Sequence, residues 1–159
     1  MFLNSSGAEP TTGPEPLGPF ARILGDSLAI LRGEQPNRYF RLCEVMTGCH
    51  FSIRTRDERF VLAFDRPPQG ISIASCGSLQ DREGVLELSF EPTLIGDLVV
   101  GATNLNRALA EEQLVVVGAL EKIAVAYEGL TAYLHGATRA PSSRELWRRF
   151  QREFLEPNS

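Results

Sequence analysis

The residues of this 159-residue chain best suited to metal or nucleophile chemistry are three cysteines and two histidines. Cys43, Cys49, His50 and Cys76 are zinc ligands by type. No Cys-x-x-Cys pair occurs, however, and the adjacent Cys49 and His50 would point to opposite faces of a strand. A nucleophile and base could be assembled from Cys76 or Ser78 with His50 or His135, because such sets are defined by geometry and not by order. The sequence holds no Gly-x-Ser-x-Gly elbow, no Gly-x-Gly-x-x-Gly turn and no phosphate-binding Walker loop. The carboxylate pairs Glu111-Glu112 and Asp81-Glu83 fall where solvated faces are expected. The expectation is a protein that is not an enzyme, holds no metal and needs no cofactor.

The bulk composition agrees. A formal charge of -4 repels phosphate and argues against a nucleic-acid partner. With 43% apolar and 23% charged residues the chain is of ordinary globular type, long enough to bury about 70% of its unfolded surface in one core. The odd cysteine count fits reduced thiols in an intracellular, cytoplasmic protein. The N-terminus lacks the pattern of a secretory signal, and no apolar run reaches the roughly 18 residues of a membrane helix.

The elements that must position any site read in order. Residues 1–19 contain four prolines and predict a flexible leader. Phe20, Ile23, Leu24, Leu28 and Leu31 share a helical face that Gly33 should end, and Tyr39, Leu42, Cys43 and Met46 repeat the pattern from Pro36 to Gly48. The period then drops to two, predicting strands over His50–Arg56, Arg59–Asp65, Ile71–Cys76 and Val85–Phe90 in a meander. Pro92 opens a helix ending at Gly101, and a short one covers Asn104–Glu111. Leu114-Val115-Val116-Val117 predicts a strand buried on both faces. Leu120, Ile123, Tyr127, Leu130 and Leu134 then form a helical stripe up to Gly136.

Residues 137–159 are expected to form a linker and an amphipathic helix, with Ser142-x-x-Glu145 as a capping box. Leu146, Phe150 and Phe154 lie four apart with Trp147 beside them. Three readings are open: docking on the domain's own core, a homodimer or partner contact, and a membrane-surface helix using the flanking arginines. Docking is preferred, because a stripe of this width is what a helix needs to pack on its own domain.

The segment Val85-Leu86-Glu87-Leu88-Ser89-Phe90-Glu91-Pro92-Thr93-Leu94-Ile95-Gly96-Asp97-Leu98-Val99-Val100-Gly101 resembles the second half of the sterol carrier protein lipid-binding family. There a strand leads into a short helix of Asp-Leu-Leu type ending in Gly. The continuation through Asn104-Leu105-Asn106-Arg107-Ala108-Leu109, Leu114–Gly118 and the helix from Ala119 follows the same order. The likeness spans residues 20–136, departing at Glu111-Glu112-Gln113, where the family has Gly, and at Ala119, where it has Asp. The chain ends Glu156-Pro157-Asn158-Ser159, without a peroxisomal Ser-Lys-Leu address, which suits a bacterial-type cytoplasmic member.

The resemblance implies an α/β (α+β) domain with one mainly antiparallel five-stranded sheet roofed by helices. Between them it implies an apolar cavity that binds, carries or presents a fatty acyl, sterol-like or isoprenoid lipid. Phe60, Phe64, Ile73 and Phe90 would floor such a cavity, and Leu94, Leu98, Leu105, Ile123 and Tyr127 would roof it, with the Tyr127 hydroxyl available to a head group. Each of these residues is also what an ordinary filled core contains. The alternative function is therefore an interaction or dimerisation module using its terminal helix.

Overall fold

The computed structural model describes residues 17–75 and 85–155. The leader up to residue 16, Cys76, Ser78, Asp81 and Glu83 lie outside the described residues, as does the side chain of Phe154.

Two helices come first, α1 (Pro19–Glu34) and α2 (Pro36–Val45), each with proline in its first turn, where a missing N–H costs nothing. Gly33 does not end α1. The helix runs on to Glu34, and the stop is Gln35-Pro36, because proline cannot continue the hydrogen-bond ladder. The strands β1 (His50–Arg54), β2 (Arg59–Phe64) and β3 (Ile71–Ser75) form consecutive antiparallel pairs. β1 is shorter than its alternation suggests, since the Thr55 N–H already closes the hairpin on the Glu58 carbonyl at 2.9 Å.

The next strand, β4 (Leu86–Phe90), departs from a simple meander. It crosses over to lie parallel to β1, and β5 (Leu114–Val117) pairs antiparallel with it, giving the order β3-β2-β1-β4-β5. The fold is α+β with a five-stranded, mainly antiparallel sheet. β5 is an edge strand and not one buried on both faces: Leu114 is buried, while Val115 and Val117 are 43% and 57% exposed. Between β4 and β5 lie α3 (Thr93–Val100) and α4 (Leu105–Ala110). Gly101 closes α3 at a positive φ of 84°, and the Asn104 side chain caps α4 by accepting the Arg107 N–H at 2.9 Å.

The long helix α5 (Leu120–Arg139) shows the largest difference from the sequence pattern. Its buried residues are Ala126, Gly129, Tyr133, Gly136 and Ala137, a stripe rotated by one residue, about 100°, from the expected one. Leu120 is 80% exposed. Close packing decides this: a side chain at Gly129 would run into Met46 of α2, and one at Gly136 into Leu31 of α1. The last helix, α6 (Pro141–Phe150), starts from Ala140 without the expected capping box, because Pro141 already occupies its first turn. Leu146, Trp147 and Phe150 are all buried against the domain's own core.

Phe20 joins these layers. Its ring lies 5.6 to 6.1 Å from those of Phe60, Phe90, Trp147 and Phe150, drawn from two strands and α6. Its backbone is held as well, since both oxygens of the Glu58 carboxylate accept α1 amides, from Phe20 at 2.7 Å and Ala21 at 3.1 Å. These are two of the amides that a helix leaves unpaired at its start. Gly18 must stay small for that approach, because a Cβ there would collide with the same carboxylate. Glu58→Gln should therefore lower stability by about 1 kcal/mol through loss of a charged acceptor, read as a lower urea midpoint at unchanged slope.

Candidate functional site

The inner face of the sheet and the helices above it do not close completely. A cavity of about 120 Å³ remains between them. The register explains its floor: Phe51 pairs with Leu62 and Leu86, and Ile53 with Leu88, so alternate residues of the central strands share the inner face. Of these, Phe51, Ile53, Leu62 and Leu88 line the cavity, with Phe64 and Phe90 beside them. β5 adds Leu114 and Val116, α1 adds Leu24 and Leu28, and α2 adds Leu42 and Met46. The roof is the first half of α5 together with Leu105 and Leu109 of α4.

Five of the nine expected residues line this cavity: Phe64, Phe90, Leu105, Ile123 and Tyr127. The other four do not. Phe60 shares the inner face but lies in the aromatic cluster around Phe20. Ile73 belongs to a surface hollow beside Gly25 and Tyr39. Leu94 borders a separate groove of mixed lining, and Leu98 is buried in the core away from the void. Sequence reasoning missed the contributions of α1 and α2, which lie outside the segment carrying the specific resemblance. It also missed Ala126 and Gly129, because small residues carry no hydrophobic signal.

Almost every atom facing the void is carbon. The one deeply buried hydroxyl on its wall, that of Tyr133, is already engaged with Ser27 Oγ at 2.6 Å and with the Trp147 indole N–H at 3.3 Å. Burial pushes the Tyr133 phenol up to about 12, against a smaller opposing effect of those two hydrogen bonds. Tyr127 differs: it is 41% exposed, and its hydroxyl donates to Asn106 Oδ1 at 2.7 Å, linking α5 to α4 beside the cavity.

The described residues give little support for reaction chemistry. No group of three or more His, Cys, Asp or Glu among them could hold a metal ion. Burial pushes the thiols of Cys43 and Cys49 up, away from the nucleophilic thiolate form. His135 is exposed on α5, and its carbonyl accepts from Arg139 at 3.0 Å. No described helix is long and apolar enough to cross a membrane.

Comparison with solved structures finds this architecture elsewhere. A ubiquinone synthesis protein, UbiJ-SCP2, superposes with a TM-score of 0.53 at 10% identity, covering 77% of this chain and 95% of its own. The sterol carrier protein domain 2 of Helicoverpa armigera gives 0.53 at 13% identity, covering 76% and 95%. This chain has the sterol carrier protein fold. No protein-family model and no curated protein matches the sequence. Within the sterol carrier fold, the crossover of β4 and the α3–α4 connection are what bring the sheet floor and the roof of α5 to either side of one void.

The Tyr133 phenol yields a prediction with a definite sign. A folded-state value raised to about 12 stabilises the fold fully below the unfolded value near 10 and is lost as pH rises through 12. The wild type should lose about 2–3 kcal/mol of stability across that window. Tyr133→Phe should begin about 1–3 kcal/mol less stable, with Ser27 and Trp147 deprived of a partner, and show a shallower alkaline loss. Urea denaturation between pH 8 and 12 measures both.

Proposed function

We propose that this protein binds, without transforming it, the apolar portion of a lipid-like molecule in the cavity under α5, and carries or presents it. The observation that supports this most directly is an unfilled, carbon-lined void in an otherwise close-packed domain. An empty cavity of about 120 Å³ costs on the order of 3 kcal/mol at ~24 cal/mol per Å³. An apolar ligand offsets that cost, and each buried CH₂ contributes about 0.8 kcal/mol. The wall leaves no free polar group for a compact polar ligand.

The size of the void sets the shape of the guest. A cavity of roughly 150 Å³ holds a benzene-sized group, whereas a whole drug-sized ligand occupies about 300–1,000 Å³. The void therefore suits a slender acyl or isoprenoid segment better than an entire rigid sterol, with the rest of a longer molecule leaving past Tyr127. The flexible thioether of Met46 can yield to such a guest. The neighbours of the same fold are named as a ubiquinone synthesis protein and a sterol carrier protein, both consistent with isoprenoid-derived or sterol-like ligands. The alternative of an interaction module loses its main device, since the apolar stripe of α6 is buried inside the chain's own core.

Native mass spectrometry of freshly purified protein, followed by denaturing extraction, should show an acyl or isoprenoid species at near-stoichiometric ratio. Ala126→Leu, which places carbon in the void from α5, should weaken binding of 1-decanol at least about tenfold, the loss of two CH₂ contacts, while the melting temperature holds or rises. A clean apo mass combined with identical decanol titrations of wild type and Ala126→Leu would refute the reading.

A further inference from the structure

Beside the cavity lies a second concavity with a mixed polar and apolar lining. It is a groove of about 590 Å³ bounded by the end of β1, the start of α3 and the links on either side of α4. The two spaces are neighbours: α4 turns Leu105 and Leu109 toward the cavity and Arg107 toward the groove, and Phe90 borders both.

Two hydroxyls on the groove wall have no partner. Thr55 is 6% exposed and Thr103 half-buried, and the Oγ1 of each is shielded from water and makes no hydrogen bond. Their backbones are committed elsewhere, the Thr55 N–H to Glu58 and the Thr103 N–H to the Asp97 carbonyl. Asp97 also lines the groove and makes no ion pair among the described residues. Partial burial raises its pKa. Orphaned buried hydroxyls destabilise a fold, and a valine would fit the same space without that penalty.

The arginines of the groove are already engaged. Arg54 lies 3.9 Å from Glu87, Arg56 is paired with Glu91, and Arg107 holds Glu111 at 3.0 Å. An anionic head would have to displace a carboxylate from an arginine, whereas Asp97 and Glu112, which line the groove and make no ion pair among the described residues, can accept hydrogen bonds from hydroxyl groups.

We propose that this groove is the head-group half of an amphiphile site whose tail half is the cavity, and that it takes an uncharged, hydroxyl-bearing head. This rests on the apolar-ligand reading above. Phe90 is the partition that the junction between head and tail must pass. Thr55 and Thr103 supply donors and acceptors, and Asp97 supplies a further acceptor.

The test compares four probes on the full chain by isothermal titration, each detergent below its micelle concentration. Benzene has a body for the cavity and no head, while decyl glucoside, decyl phosphate and decyltrimethylammonium share one tail under neutral, anionic and cationic heads. The expected result is that decyl glucoside binds wild type about tenfold more tightly than either charged detergent, a difference the size of one or two net hydrogen bonds. The Thr55→Val/Thr103→Val double variant should lose that tenfold and bind benzene unchanged. With no ligand it should melt about 4–8 °C higher, the shift expected for relief of two orphaned groups at about 1 kcal/mol each.

Equal affinity for the three heads, with benzene still bound, would overturn the groove assignment and leave the carrier reading standing. Preference for phosphate or trimethylammonium would overturn the neutral-head assignment. A lower melting temperature in the double variant would mean that the hydroxyls have partners, which also overturns it. If neither benzene nor any detergent binds wild type, the carrier reading itself falls and takes the inference with it. Should the double variant fail to fold, Thr103→Val alone carries the same comparison, because Thr103 sits in a link outside the sheet.

Discussion

The architecture depends on the anchoring of α1 at Phe20. Its amide and that of Ala21 are bound by the Glu58 carboxylate from the β1–β2 turn, while its ring is enclosed by Phe60, Phe90, Trp147 and Phe150. One residue thereby ties the first helix, two strands and the last helix together. This dense aromatic end is filled, so the floor positions nearest to it, such as Phe60, serve packing. The void opens where the aromatic cluster ends and the smaller residues of α5 begin.

That placement follows from a conflict between close packing and filling. Gly129 and Gly136 let α5 approach α2 and α1 closely, against Met46 and Leu31. The same rotation brings Ala126 and Gly129 over the sheet between Ile123, Tyr127 and Leu130, and leaves Leu120 in solvent. A helix that packs tightly on its neighbours through small residues cannot also fill the space beneath it. The cavity is therefore a consequence of how α5 is seated, at a cost that bound hydrocarbon can offset.

Much of the fold was legible because its signals are local. Period-two alternation marked β1 to β4 and a continuous β-branched run marked β5, while Gly101 and Asn104 marked the end of α3 and the start of α4 where backbone geometry and capping require them. The segment around Val85–Gly101 carried the resemblance that led to the sterol carrier fold. The boundaries failed where a single stronger stop competed with a weaker one. Gln35-Pro36 overrode Gly33 in α1, and Pro141 took the place of the Ser142 capping box in α6.

Residue type and spacing alone determined the order of helices and strands and their apolar faces, and the resemblance to the sterol carrier family added the sheet roofed by helices and set Phe64, Phe90, Leu105, Ile123 and Tyr127 among its nine cavity candidates. Only the tertiary structure decided that β4 lies beside β1, that β5 is an edge, and that α5 faces inward through Ala126 and Gly129. The reason is physical. Periodicity reports which side of an element is apolar, but strand order and helix rotation are set by contacts between residues far apart in the chain. A void is the one feature that no residue encodes by its own type, because it exists only where several elements fail to meet.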